Sequence, residues 1–268
     1  MRKLKLILTG LVLWALLPSL LTGQNNGYEV IDYMYVAPGM GDDYLALESA
    51  WGKIHAANIE AGKYRAWTFY ELLMPNGNRT EYNYATRISF DTDAQLADWM
   101  TNFSFPDNME EMLTDDEVEL VQRTSEIRTW VESDVFSRVD MAWSEAANTA
   151  GIVVWNYFSA HEGHSAGDHY QMERDVWMPV HKARIADNKI AGWVLVDLRL
   201  PYGSDVGYHG MTVDVYEDME QFLAQDGATP YFEQVHPGKD QDKLMAQTRA
   251  TADLRRSDVL AIRERIRK

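Results

Sequence analysis

The first half of the chain opens with a strand pattern that gives way to a helix pattern. Residues 28–36, YEVIDYMYV, are rich in aromatic and β-branched side chains and predict a strand that ends before Pro38. From Asp42 to about Ala61, apolar residues recur three or four positions apart, which predicts an amphipathic helix. Gly62 suits the end of that helix.

A strand, a turn and a second strand follow. YRAWTFYELLM (64–74) and EYNYATRISF (81–90) have strand composition, and the PNGN sequence between them supplies turn residues. A second helix begins after these strands, with Asp91 or Thr92 as its cap. The first half therefore has the order strand, helix, strand, strand, helix.

The second half repeats this order and many of the same residues. Placing Trp51 on Trp177 gives an ungapped offset of 126 residues. The offset aligns the identical pairs Asp42/Asp168, Tyr44/Tyr170, His55/His181, Ala57/Ala183, Ile59/Ile185, Lys63/Lys189, Trp67/Trp193, Leu72/Leu198, Pro75/Pro201, Gly77/Gly203, Tyr82/Tyr208, Thr86/Thr212 and Gln95/Gln221. Further on, QRTSEIRTWVESDVFSRV resembles QTRATADLRRSDVLAIRERI, so each half closes with the same element, a final strand. Self-similarity over this length indicates duplication.

The duplication sets the expected domains and fold class. We predict an export signal at residues 1–23 and two repeats at 25–147 and 148–268, joined by the short sequence SEAANTAG. Strand-helix-strand-strand-helix-strand is the ferredoxin-like plan, whose sheet has one open face. Two such sheets are expected to cover each other. We therefore predict an α+β protein in which two ferredoxin-like repeats form an intramolecular pseudo-dimeric α/β barrel.

In this order of elements and in its duplication, the chain resembles a fused tandem member of the dimeric α+β barrel superfamily. That superfamily includes antibiotic-biosynthesis-type monooxygenases and NIPSNAP-like proteins. The resemblance covers nearly the whole chain after the predicted signal, and it includes no catalytic signature. It implies a ligand pocket between helix and sheet.

The chain ends and the composition bear on location and partners. Arg2, Lys3 and Lys5 precede an apolar run from Leu6 to Leu21, which predicts export to the periplasm or medium of a bacterium, without a membrane anchor after cleavage. The chain has no cysteine, so burial rather than disulfides must hold the fold. Its net charge of −16 argues against nucleic acid and anionic membrane surfaces as partners.

The step Trp-x-x-x-His occurs once in each repeat. Leu47, Trp51, His55 and Ile59 share one side of the first predicted helix, and Trp177 and His181 repeat the step. Each imidazole either packs at the edge of the core or lines a cavity as an acid, a base or a ligand-binding group. His181 and His55 are thus the candidate catalytic residues.

Several other duplicated aromatic residues are candidate ligand contacts. Trp51, Trp67 and Tyr82 in the first repeat, with Trp177, Trp193 and Tyr208 in the second, either fill the space between the sheets or line a cavity for a small apolar or aromatic molecule.

The loop SAHEGHSAGDHYQME, residues 159–173, holds most of the remaining histidines. It contains His161, His164 and His169 with Asp168 and Glu173, and its spacing differs from that of HExxH metal sites. We favour a solvated polar loop, and a zinc or iron site is the alternative, because imidazole nitrogens suit both metals. Because the first repeat has no equivalent loop, we expect the second repeat to carry the site, with His181 first and His164 and His169 next.

Other positions set limits on the chemistry. Arg65 and Arg87 align with Ala191 and Val213 of the second repeat, and we interpret both arginines as surface charges. The sequence contains no GxSxG motif, no P-loop and no GxGxxG in a strand-turn-helix setting. Three functions stay open: a cofactor-independent enzyme, a non-catalytic ligand-binding protein, and a structural or interaction module. The cofactor and the oligomeric state are unknown at this level.

Overall fold

The computed structural model describes residues 27–268 except residues 76, 78, 79, 204, 225 and 226. For residue 110 it describes the backbone alone. The predicted export signal at residues 1–23 lies outside the described residues. In the described part of the chain, no helix is both long enough and apolar enough to cross a lipid bilayer.

The strands of the described residues form one closed barrel. They are β1 Tyr28–Tyr35, β2 Ala66–Met74, β3 Tyr84–Phe90, β4 Thr129–Trp143, β5 Ile152–Ala160, β6 Gly192–Leu200, β7 Gly210–Tyr216 and β8 Ala252–Arg267. Their order around the barrel is β1-β3-β2-β8-β5-β7-β6-β4, and neighbouring strands are antiparallel.

Each repeat contributes four consecutive strands to the barrel. The first contributes β4-β1-β3-β2 and the second β8-β5-β7-β6, which is the ferredoxin-like order in both. The repeats are joined where β2 pairs with β8 and where β4 pairs with β6. Closure leaves no edge unpaired among the strands of the described residues. The predicted fold class, two ferredoxin-like repeats in an intramolecular barrel, is confirmed.

Helices cover the outside of the barrel. They are α1 Gly41–Glu60, α2 Asp93–Asn102, α3 Met109–Met112, α4 Asp115–Gln122, α5 Thr124–Ile127, α6 Ala166–Met172, α7 Met178–Ala186, α8 Met219–Leu223, α9 Thr229–Val235 and α10 Gln241–Thr251. The single helix predicted across Trp177 is α6 and α7 joined by a π-helical segment, Glu173–Trp177. Pro179, in the first turn of α7, has no N–H group to donate along the helix.

The core has an inner and an outer layer because strand residues alternate between the two faces of the sheet. Tyr33, Phe136 and Trp155 fill the barrel interior. On the outer face, Leu47 and Ile54 of α1 pack with Trp67, Ile88 and Phe90. Both layers are needed because every strand has one face toward the interior and one toward the helices.

Arg87 departs from the interpretation made from the sequence. Its neighbours Thr86 and Ile88 face α1, so alternation turns Arg87 into the barrel. Its guanidinium lies 5.8 Å from the ring centre of Tyr70, an interior residue. Arg87 is therefore not a surface charge, whereas Arg65 is 40% exposed.

Candidate functional site

A cavity of about 620 Å³ lies between α1 and the outer face of β1, β3 and β4, in the first repeat. Its size is within the range of small-molecule sites. It is lined by Val30, Asp32, Glu48, Trp51, His55, Thr86, Ile88, Trp99, Met100, Phe103, Arg128, Trp130, Ser133, Val135, Leu200 and Pro201. The resemblance implied a pocket in this position between helix and sheet.

Charged groups meet in one part of the cavity. Glu48 of α1 is 1% exposed, and its Oε1 accepts a hydrogen bond from Arg128 Nη1 at 3.0 Å. Asp32 of β1 accepts a hydrogen bond from the hydroxyl of Ser133 on β4. The two carboxyl groups come from different elements, and one arginine lies near both.

Burial controls the protonation of these carboxyl groups. It raises the pKa of Asp32, and the Ser133 hydrogen bond and the Arg128 charge offset part of the rise. It also raises the pKa of Glu48 against the opposing effect of Arg128. Because desolvation disfavours the charged form, both groups accept a proton more readily than exposed carboxylates do.

His55 lies in the cavity wall and is 7% exposed. Its ring stacks on Trp67 at a centroid distance of 4.8 Å, and Nδ1 lies 2.7 Å from the Tyr64 hydroxyl. Burial, with a smaller effect of Arg128, lowers the pKa of His55 to about 3. The ring is therefore neutral at pH 7, with one nitrogen as donor and the other as acceptor.

Aromatic side chains form much of the cavity wall. Trp51 stands one turn before His55 on α1, and its indole nitrogen donates to Thr124 Oγ1 at 3.2 Å. Trp99 and Phe103 approach from α2 and the residue after it, while Trp130 on β4 is 63% exposed. Of the predicted ligand contacts, Trp51 lines the cavity, whereas Trp67 lies behind His55.

The second repeat reproduces the Trp–His arrangement in different surroundings. His181 stacks on Trp193 at 5.3 Å, as His55 does on Trp67. Its Nδ1 lies 3.2 Å from Nη1 of Arg184, and burial followed by the Arg184 charge lowers the pKa of His181 to about 3. Trp177 is buried against Phe232, a residue of α9. Helices of this repeat thus occupy space beside the Trp–His pair.

The candidate residues of the 159–173 loop do not form a single group, although His169 Nε2 lies 3.2 Å from Oε1 of Glu173. His164 is exposed, and its Nδ1 lies 4.0 Å from Oδ2 of Asp168. Asp168 accepts a hydrogen bond from the backbone N–H of Ser165, the N-cap residue of α6. His169 is fully buried, and its Nδ1 lies 3.0 Å from Nε2 of His209. Among the described residues, no group of three or more histidine or acidic side chains is arranged to hold a metal ion.

Tyr82 and Tyr208 lie at the barrel interior, away from the cavity. Tyr82 donates to Asp258 Oδ2 at 2.5 Å, and Tyr208 donates to Asp134 Oδ2. Each bond joins one repeat to the final strand of the other, which gives the duplicated tyrosines a role in holding the barrel together. Burial raises the pKa of Asp134 to about 6.

The sequence singled out His55 but not the charged residues or the serine of the cavity. Glu48 precedes His55 by seven positions and so shares its helical face, a signal that was present in the pattern. Asp32 and Ser133 are 101 positions apart and meet only through the pairing of β1 with β4. The cavity also lies in the first repeat, although the sequence favoured the second.

Comparison with known proteins identifies the fold. No protein-family model and no curated protein sequence matches the chain. Among solved structures, a provisionally assigned monooxygenase from Lactobacillus acidophilus NCFM is similar at TM-score 0.52 and 11% identity, over 90% of this chain and 94% of that one. An anthrone oxidase-like protein is similar at TM-score 0.52 and 9% identity, over 91% and 94%. This chain has the dimeric α+β barrel fold, built here from two repeats of a single polypeptide.

Proposed function

We propose that this protein binds a small, flat and mainly apolar molecule in the cavity of the first repeat. The observation that carries the proposal is the cavity of about 620 Å³ with aromatic walls and a few polar groups in one part of it. Apolar pockets with few, convergent polar groups are typical of small-molecule sites. The molecule is expected to place its apolar body against Trp51, Trp99 and Phe103.

The polar residues would fix the orientation of the ligand. The Nδ1 atom of His55 is engaged by Tyr64, and no hydrogen bond among the described residues involves Nε2. A ligand hydroxyl or carbonyl is therefore expected to face the imidazole or the carboxyl of Asp32. A ligand without such a group would leave these buried polar atoms without partners, which costs binding free energy.

Calorimetric titration with 2-naphthol and with naphthalene tests the proposal. We expect 2-naphthol to bind at least tenfold more tightly, since only 2-naphthol carries a hydroxyl group. The His55→Leu variant should lose this preference, and the matched His181→Leu variant should keep it, because each removes an imidazole stacked on a tryptophan. Absence of binding, or equal effects of the two variants, would contradict the proposal.

An acid–base enzyme is a second candidate for the same cavity. The observation that favours it is the half-buried Asp32 carboxyl, which faces the cavity, accepts a hydrogen bond from Ser133 and has a raised pKa. A carboxylate with a raised pKa is a stronger base than an imidazole whose pKa is about 3. Asp32 would take a proton from the ligand and Arg128 would stabilise the resulting negative charge.

Native mass spectrometry of the purified protein should first identify a bound molecule. Removal of a carbon-bound proton from that molecule would then appear as deuterium uptake at that carbon in D2O, and it should stop in Asp32→Asn while binding persists. Binding without deuterium exchange would indicate that the protein binds a ligand without catalysing a reaction. If nothing binds, the structural or interaction module remains.

Export is a separate proposal based on the predicted signal. We infer that the mature protein lies in the bacterial periplasm or medium and begins after about Gly23. Sequencing the N-terminus of exported protein should find residues 1 to about 23 missing. Recovery of the uncleaved chain from the membrane fraction would contradict the inference.

A further inference from the structure

One end of the barrel interior carries a group of arginines in a protein of net charge −16. We name this end the arginine mouth and define it by Arg65, Arg87, Arg138, Arg265 and Arg267, which line one cavity of about 600 Å³. None of these residues lines the cavity between α1 and the sheet. The mouth is therefore a second, separate cavity.

The positive charges of the arginine mouth exceed their acidic partners. Glu29 Oε1 lies 2.7 Å from Arg138 and 3.5 Å from Arg65, and Glu29 Oε2 lies 3.6 Å from Nε of Arg87. Three guanidinium groups thus share this carboxylate. Asp91 is a further partner of Arg65, at 3.2 Å on the exposed side.

Two of the arginines are left with weak or neutral partners. Nε of Arg87 is buried, and no hydrogen bond to it is formed within the described part of the chain. Arg265 donates to backbone carbonyl groups, including that of Ala147 at 3.2 Å, and forms no ion pair with a described acidic side chain. Burial lowers the pKa of Arg265, and repulsion from Arg87 and Arg267 adds to the effect. An anion placed among these groups would relieve that repulsion.

The opposite side of the mouth is apolar, although it is built from equivalent positions. The 126-residue offset places Val213 where the first repeat has Arg87. Arg265 of β8 pairs with Thr68 of β2. The second-repeat equivalent of Thr68 is Val194, which pairs with Met141 of β4, so Met141 stands in the position equivalent to Arg265. Duplication has therefore left a cationic side facing an apolar side.

The apolar side continues into the barrel. Trp155, Val196 and Met211 line the same cavity and belong to the interior core. A ligand that enters from the mouth would meet arginines at the rim and apolar side chains on the opposite wall. Guanidinium groups match carboxylates in charge and in planar geometry.

We propose that the arginine mouth binds an amphiphilic organic anion, with its carboxylate among Arg87, Arg265 and Arg138 and its apolar part along Met211 and Trp155. The site requires both a negative charge and an apolar chain. It is independent of the ligand proposed for the first cavity.

Calorimetric titration of the full chain with decanoate, 1-decanol and inorganic phosphate tests this proposal. We expect decanoate to bind at least tenfold more tightly than either other probe. Arg87→Gln and Arg265→Gln should each weaken decanoate binding at least tenfold. Arg255→Gln is the matched control, since Arg255 is an exposed residue of the same strand as Arg265, and it should change binding less than twofold.

Thermal unfolding without ligand separates binding from folding. Because Arg265 is repelled by Arg87 and Arg267 and forms no ion pair with a described acidic side chain, Arg265→Gln should leave the melting temperature of the free protein nearly unchanged while it removes the stabilisation by decanoate. If both the Arg87 and the Arg265 variants unfold, Arg267→Gln at the exposed rim should still weaken decanoate binding about threefold.

Three outcomes would overturn the proposal. The first is no decanoate binding by the wild-type chain. The second is equal binding of phosphate and decanoate, which would exclude a role for the apolar side. The third is that decanoate binds but lies elsewhere. This would be shown if none of the three mouth variants weakened decanoate binding, or if 2-naphthol displaced decanoate.

Discussion

Replacing Arg128 with methionine removes the positive charge beside Glu48 but keeps most of the apolar stem. In the native protein the two side chains are 16% and 2% exposed and are joined at 3.0 Å. A buried carboxylate without its cation is strongly unfavourable. Glu48 is therefore expected to take up a proton in Arg128→Met, and the cost of that protonation limits the loss of stability.

The magnitude follows from the pKa. The ordinary glutamate pKa of 4.5 lies about 2.5 units below pH 7, so protonation costs at most about 3.4 kcal/mol at about 1.36 kcal/mol per unit. Burial already raises the pKa of Glu48 in the native protein, so part of this cost is already present. We expect Arg128→Met to lower the free energy of unfolding by about 2 to 3 kcal/mol at pH 7.

The loss should depend on pH with a defined sign. A folded-state pKa above the unfolded value gives a contribution that is full below the unfolded pKa and is lost as the pH rises through the folded pKa. At pH 5 the upper limit falls to about 0.7 kcal/mol. The variant should therefore be close to wild type at pH 5 and clearly weaker at pH 7.

Urea unfolding followed by circular dichroism at both pH values is the assay. Arg123→Met is the control, because Arg123 pairs with Glu119 and Glu126 on the surface, and it should have no measurable effect. The double variant Glu48→Leu/Arg128→Met should recover most of the stability at pH 7. An equal loss at pH 5 and pH 7 would refute the reasoning, since lost packing rather than charge would then explain it.

Two further predictions concern the titrating groups of the barrel. The pKa of His55 and of His181 is about 3, so the stability that these neutral rings contribute is present above pH 6.5 and lost as the pH falls. The double variant His55→Phe/His181→Phe should accordingly show a shallower loss of unfolding free energy between pH 6.5 and pH 4, and an unchanged slope would contradict these pKa values. Tyr208→Phe removes a hydrogen bond to Asp134, and we expect it to raise the pKa of Asp134 above about 6 and to cost about 1 to 3 kcal/mol. Carboxyl-carbon NMR titration measures the pKa, and a downward shift would count against the assigned bond.

Local patterns in the sequence predicted the repeats and their elements. The strand YEVIDYMYV, the helix across Trp51 and the equivalent elements of the second repeat depend on periodicity and on turn residues, which are properties of neighbouring positions. The same periodicity placed His55 and His181 on the faces of their helices that meet the sheet, where each stacks on a tryptophan.

The position of the cavity beside His55 depends on residues that are far apart in the chain. His55 and His181 have nearly the same local pattern, so the sequence could not separate them. The first cavity gains its polar groups from Asp32 and Arg128, which strand pairing and α1 packing bring together, whereas α9 packs against Trp177 in the second repeat. The preference for the second repeat relied on a histidine-rich loop, in which the fold leaves His161 and His164 exposed and buries His169.

The sequence by itself determined the order of the strands, the duplication and the fold class, because alternation and helical spacing act over a few residues. Only the tertiary structure determined which side chains that face the barrel interior lie together. Arg87 and Arg265 lie 178 positions apart, yet barrel closure through β2 and β8 brings them to one mouth opposite Val213 and Met141. Alternation gives each side chain a face of the sheet, but only closure of the barrel determines which distant side chains share a cavity.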